Sequence, residues 1–322
     1  AVAALTLVSF GLGRFPIDPL TVVKIFISRV VNVPVTWPAI DQTVVLHLRM
    51  PRILAALLVG AALASSGAAY QTMFRNPLVS PEILGVAHGA GFGASLGILL
   101  GASQAELQVL AFVGGLLAAV AALGIARIVG SISPIVLVLG GIVIGAMFGA
   151  LISGAQYVAD PETTLPAITF WLFGSLARAT IGGLLVPAII VGVCLIALYA
   201  LRWQITVLAT GEDEARTLGI SRRLVWSVVI TASTLMTATV VSAAGIIGWV
   251  GLVVPHMGRA LVGPSFGRLL VVSTMLGAGY LLVVDDVARS ATSIDIPLGI
   301  LSALIGVPVF VAVLVRAGRQ WL

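Results

Sequence analysis

From residue 52 onward, apolar stretches of about 20 residues recur along the chain, hydrophobic on every face, which is the length needed to cross ~30 Å of hydrocarbon. Only helices and closed barrels satisfy every backbone group inside lipid. A barrel strand would alternate apolar and polar residues in runs of about ten, and no such alternation is present. The chain therefore reads as an all-α polytopic membrane protein. Charged residues make up 9% of the 322, far below the soluble average of about 25%, and the mean hydropathy is +1.18.

Spans are expected near 52–73, 83–101, 107–129, 134–158, 182–201, 222–244, 246–262, 268–284 and 298–315. Ala1 to Gly13 is too short to span and reads as the remainder of a first helix, making about ten. A signal peptide is the alternative for that stretch, although it shows neither a basic n-region nor a cleavage pattern. All 322 residues form one transmembrane domain. Residues 14–51, rich in proline and charge, form an extramembranous segment hugging the interface, and 202–222 form a polar loop. Ser80-Pro81-Glu82, Ser133-Pro134 and Ser221 read as helix starts.

Basic residues set the orientation. Arg75, Arg127, Arg202, Arg216, Arg222, Arg223, Arg259, Arg268, Arg316 and Arg319 fall on one side, which predicts cytoplasmic termini and a cytoplasmic 202–222 loop. The net charge of +5 does not indicate nucleic acid, because the basic groups sit at the ends of apolar spans rather than in a stripe.

The densest polar stretch is Thr210 to Leu224, TGEDEARTLGISRRL. Thr210 with Asp213 three positions on predicts a capping box, with Glu212, Asp213 and Glu214 on the positive end of the helix dipole. Gly219 ends that short helix and Ser221 starts the next. On charge alone the segment reads equally well as a solvated loop.

Other patterns point away from chemistry. Lys24 is the sole lysine and lies in VVKIF, so the Gly-Lys-Ser/Thr of a phosphate loop is missing and ATP hydrolysis would need another chain. Cys194 stands alone in an apolar run. His47, His88 and His256 share no ligand spacing. HGAGFGASLG, from His88, follows no strand and reads as helix packing. The spans are nearly free of acids and bases, which disfavours an ion-coupled secondary transporter. No nucleophile, base and orienter set suggests an enzyme.

Four stretches carry a resemblance: LRMPRILAALLVGAALASSGAAYQTMFRNPLVSPEILGVAHGAGFGA from Leu48, ATGEDEARTLGI from Ala209, GIIGWVGLVVPHMGRALVG from Gly245, and the run from DDVAR at Asp285 to IPLGILSALIGVPVF. In order and spacing they resemble the iron-siderophore, haem and vitamin B12 (FecCD/BtuC-type) permeases of type II ABC importers. The resemblance implies a homodimer of ten-helix subunits in the bacterial inner membrane, two cytoplasmic ATPases that bind ATP and Mg, and a periplasmic binding protein. No cofactor is expected on this chain itself.

The resemblance also implies roles. Thr210, Gly211, Glu212, Asp213, Glu214, Ala215, Arg216, Leu218 and Gly219 match the segment that docks on the ATPase, with Thr210 standing where the family usually has leucine. Arg49, Arg52 and Arg289 match positions that receive acidic groups of the binding protein. Arg49 and Arg52, three apart around Pro51, would present a cationic knob, and Asp285 four residues before Arg289 would orient it. Asn76, Leu78, Ile132 and Ser133 match a cytoplasmic gate, and the helix from Pro134 lines the path. Arg178 reads either as a substrate contact or as an interfacial anchor. Haem or an iron siderophore is the favoured cargo, with cobalamin or a molybdate-type oxyanion as alternatives.

Overall fold

In the computed structural model, residues 2–32, 34–130, 133–292 and 294–318 are described, with side chains to residue 312. The chain runs α1 (Val2–Gly11), α2 (Pro19–Ile27), α3 (Ala39–Thr43), α4 (Met50–Met73), α5 (Val86–Leu99), α6 (Gln104–Ile128), α7 (Pro134–Val158) and α8 (Thr164–Leu172). It continues through α9 (Ile181–Ala200), α10 (Arg202–Thr210), α11 (Glu212–Thr217), α12 (Arg222–Ala244), α13 (Val250–Val262), α14 (Phe266–Ser290) and α15 (Leu298–Gly318). Helix α3 joins α4 through a π-helical turn at Val44–Arg49, giving a continuous 35-residue helix.

Among the described residues, six helices are long and apolar enough to cross a membrane and four shorter apolar helices accompany them (α1, α5, α13 and α15). These are the ten segments expected, although α5 and α13 are only 14 and 13 residues long. Four helices were not foreseen: α2 and α3 within the 14–51 segment, α8, and α10 inside the expected polar loop. The segment 14–51 holds α2, which buries Val22 and Ile25 and leaves its other side exposed, as a surface-lying helix does.

Helices α4 and α12 form the centre, with 78% and 72% of their apolar windows buried against 28–44% in the other long spans. Hydrophobicity does not drive helices together in lipid, so close approach and polar contacts must. A Cβ added to Gly67 of α4 would lie 1.8 Å from the Gly251 carbonyl of α13. One added to Gly60 would lie 2.1 Å from the Gly277 carbonyl of α14. Only glycine permits these crossings. Ser65 and Thr274 share a 2.7 Å hydrogen bond between α4 and α14, and Tyr70 and Thr234 a 3.1 Å bond between α4 and α12.

The starts expected from serine are only partly realised. Ser133 and Ser221 accept from Val136 and Leu224 N–H at 3.4 Å and cap α7 and α12. Ser80 makes no side-chain cap. Pro81–Leu84 instead forms one 3₁₀ turn, and α5 begins after Gly85 at φ 74°. That turn packs on α7 so closely that a Cβ on Gly141 would meet the Ile83 carbonyl at 1.7 Å.

Candidate functional site

The two ends of the bundle carry its charge. At one end, α4 runs out at Arg75, whose Nη2 donates to the Leu208 carbonyl of α10 at 2.7 Å. Helix α10 is in turn tied to the start of α14, because Phe266 N–H donates to Thr206 Oγ1 at 3.2 Å. It buries Ile205 and Leu208, three positions apart, and exposes Arg202 and Trp203. A span-like apolar run was never needed to make this helix.

Thr210 does not form the expected capping box. Its hydroxyl turns back to donate to Val207 within α10 at 2.8 Å, and Gly211, in extended conformation, is the N-cap of α11. Glu212, Asp213 and Glu214 do occupy the first turn of α11, where the dipole favours them. Ala215 and Ile220 anchor the segment, at 1% and 9% exposure, whereas Asp213, Glu214, Arg216, Leu218 and Gly219 face outward. Gly219 stops the helix at φ 73°, a conformation that costs a side-chain-bearing residue energy. Arg222 then reaches Glu212 at 3.3 Å and lies 4.7 Å over the Trp226 ring, fixing α11 to α12.

Asn76 and Leu78 form one tight turn at this end, with Leu78 N–H donating to Asn76 Oδ1 at 2.9 Å. Arg75 beside them adopts φ 51°, an uncommon value for a non-glycine residue. Ser133 starts α7, while Ile132 lies outside the described residues.

At the opposite end, the arginines do not present the free cationic knob expected of Arg49 and Arg52. Arg49 is 6% exposed and donates to the Phe10 and Phe15 carbonyls. Arg52 bonds Asp285 at 2.8 Å and Asp295 at 2.6 Å. Arg289 reaches Asp285 at 3.7 Å, the pair expected from spacing, but its shorter contact is to Asp286. It also donates to the Leu12 carbonyl and to Ser9 Oγ, at 2.9 and 2.8 Å. Arg14 completes the knot by bonding Asp295 at 2.6 Å. A buried charge must be paired or leave the interior, and internal acids and carbonyls supply the pairing here. Asp286, Asp295, Ser9 and Arg14 were not singled out from sequence; the available signal was that acids at this end are as numerous as bases, whereas bases outnumber acids at the other.

Arg178 differs from those three. It is exposed, and among the described residues it has no hydrogen bond or ion pair. It borders pockets of 280, 470 and 500 Å³. The first is floored where one irregular segment, Phe173 to Ser175, bonds the end of α12 and the first turn of α15: Ser175 N–H to the Ala244 carbonyl at 2.8 Å, Leu298 N–H to Gly174 at 3.0 Å, and Gly299 N–H to Phe173 at 2.9 Å. Non-helical backbone is tolerated at membrane depth when it is satisfied this way around a cavity. On the loop before α8, Asp160 accepts from the Thr163 hydroxyl at 2.8 Å and the Thr163 and Glu162 N–H groups, which hold its carboxyl below the usual range. Among the described residues no three His, Cys, Asp or Glu side chains group as metal ligands.

The profile of the FecCD transport family matches residues 1–316. The chain belongs to that family. As a FecCD protein it is a multi-pass permease of the ABC importer type, whose members work as dimers with ATPase and binding-protein partners. It is 39% identical over 306 residues to the molybdate import system permease MolB of Haemophilus influenzae, covering 94% of this chain and 89% of that one. It is 38% identical over 273 residues to a probable iron chelatin transport permease of Helicobacter pylori, covering 85% and 82%. A solved structure described as an inward-facing conformation of a metal-chelate-type ABC transporter superposes with a TM-score of 0.85 at 37% identity, covering 98% and 96%.

Proposed function

We propose that this FecCD permease is one half of a homodimer in a bacterial inner membrane, with cytoplasmic termini, that imports a metal chelate delivered by a periplasmic binding protein. The observation that supports this most directly is the exposed acidic helix α11, anchored by Ala215 and Arg222 but turned outward over Asp213, Glu214, Arg216 and Leu218. Such a short rigid element at the arginine-rich side suits a socket on an ATPase that binds ATP and Mg itself. Motion there would pass to α4 through the Arg75–Leu208 bond and to α14 through Thr206–Phe266, rocking the bundle between inward and outward access. Asn76, Leu78, Ile132 and Ser133 would close the cytoplasmic gate.

Arg49, Arg52 and Arg289 would support docking of the binding protein from within. Acidic groups on that protein must compete with their internal partners, and Arg52, whose side chain is 14% exposed, has the most surface to offer of the ion-paired positions Arg52 and Arg289. Haem or an iron siderophore is the first expectation for cargo. A molybdate-type oxyanion is the second reading, favoured by the unpaired Arg178 at the cavity mouths and by the likeness to MolB. The test is reconstitution with the cognate ATPase and binding protein, followed by uptake of haem, ferric siderophore, cobalamin and molybdate. Uptake of none under ATP, or ATP hydrolysis by this chain alone, overturns the proposal.

A further inference from the structure

At the end that carries α11 lies a groove whose two arginines have no role above. It is lined by Tyr199 at the end of α9, Arg202, Trp203 and Thr206 of α10, and Ser265 and Arg268 where α14 begins, and encloses 580 Å³. Its position is interfacial: α9 ends and α14 starts here, so the groove lies where spanning helices leave the hydrocarbon. Among the described residues its two cations have no acidic partner. Arg202 donates to the Tyr199 carbonyl at 2.9 Å and sits 4.4 Å over the Tyr199 ring. Arg268 has no ion pair or side-chain hydrogen bond among the described residues.

Arg202 is held in place, while Arg268 is exposed at the groove. The stem of Arg202 lies against the first turn of α14, where a Cβ on Gly267 would be 3.0 Å from its Cδ. Thr206, one turn along α10, accepts from Phe266 N–H. Ser265 makes no side-chain cap on α14, so the positive end of that 25-residue helix adds to the field of the groove. Val271 and Val272 form an apolar lower wall, and Ile196 and Met275, one turn below Tyr199 and Val271, are 71% and 59% exposed. Trp203 and Tyr199 are 55% and 46% exposed at the rim, as aromatic residues at a headgroup boundary are.

We infer that this groove binds the phosphate headgroup of an anionic phospholipid, between Arg202 and Arg268, with an acyl chain laid against Val271 and Met275. A basic pocket between spanning helices beside an aromatic rim matches a diester phosphate on an apolar tail better than it matches a free anion, which has no use for the lower wall. Because α10 leads directly into α11, a bound lipid would brace the arm that carries the acidic helix. The inference rests on the groove's position, its two arginines and its apolar wall, and stands whatever cargo is carried.

The test is native mass spectrometry of the full chain in detergent, titrated with phosphatidylglycerol or phosphatidylcholine of the same chains. Phosphatidylglycerol should bind preferentially, and Arg202→Gln with Arg268→Gln should weaken it about tenfold or more while phosphatidylcholine is unchanged. Arg202→Lys with Arg268→Lys should restore most of the binding, which separates lost charge from misfolding. Arg127→Gln, an arginine at the end of α6 outside the groove, should change nothing. Equal binding of the two lipids, equal loss in Arg127→Gln, or displacement of the lipid by millimolar inorganic phosphate would overturn the assignment.

Discussion

The two ends of this permease use the same residue types to opposite effect. At the end around Arg49, Arg52 and Arg289, acids and bases are folded into one another: Asp285 is 0% exposed, and Asp286 and Arg289 are both 7% exposed. At the end that carries α11, Asp213 and Arg216 are three residues apart and 4.0 Å from each other, with side chains 96% and 74% exposed. Water screens the second pair and excludes itself from the first. The knot is therefore a brace joining α1, α4 and α14, whereas α11 is a surface kept available. Charge count alone would have treated them alike.

The largest expected effect breaks the brace. Arg289→Ala leaves Asp286 buried without its cation, which should cost about 3–5 kcal/mol, because an uncompensated charge is left in the interior. Thermal unfolding in detergent should show a sharply lowered midpoint or loss of monodisperse protein. A wild-type midpoint would mean that the knot is not load-sharing. Removing Arg289 and Asp286 together, as Met and Leu, should recover much of the loss, since apolar groups of similar volume can replace a buried pair.

Next in size is the coupling between Arg52 and Asp285, which bond at 2.8 Å. A double-mutant cycle with Arg52→Met and Asp285→Asn should return an interaction of roughly 1–3 kcal/mol in the unfolding free energy. An interaction near zero would place the strength of the knot in Arg289 and Asp286 alone. At the α11 end, the corresponding change is to the backbone. Gly219→Ala forces a side chain into φ 73°, at about 1 kcal/mol or slightly more. Its effect on global unfolding should be small beside that of Arg289→Ala. ATP hydrolysis without matching uptake in the reconstituted importer is the expected signature, and normal coupling would argue that α11 need not end where it does.

Sequence reading succeeded where one segment decides its own fate. The apolar runs announce themselves by length, and Gly219 and Ser221 act on their immediate neighbours, so the end of α11 and both ends of α12 were placed correctly. It failed where distant segments decide. Arg49 finds its partners 34 and 39 residues away, Arg52 finds Asp285 and Asp295 at separations of 233 and 243, and Arg289 reaches Ser9 across 280. No local pattern says that such an arginine is buried rather than presented. Thr210 erred for a different reason. Its hydroxyl had two acceptable partners within a turn, a carbonyl behind and an N–H ahead, and the unforeseen helix α10 supplied the first. Helix α8, nine residues with Pro166 inside, is too short to announce a span, and its position is set by bonds from the following loop to the end of α12 and the first turn of α15.

The smallest expected effect sharpens the comparison most. Asp213→Asn removes a carboxylate whose nearest cation is 4.0 Å away and whose side chain is almost fully in water. Exposed pairs of that kind contribute little to folding, because solvent and salt already screen them and ordering two long side chains opposes the attraction. The unfolding midpoint should match that of the unmodified protein, as should insertion into the membrane. If α11 is the face offered to an ATPase, the same change should still weaken assembly with that partner, and raising the salt concentration should weaken the unmodified complex more than the variant, because the lost charge was part of what salt screens. A variant that unfolds early would mean that Asp213 is tied into the fold and that the two ends differ less than their exposures indicate. One that assembles with unchanged salt dependence would leave α11 exposed but move the docking contact to Glu214, Arg216 or Leu218 on the same outward face.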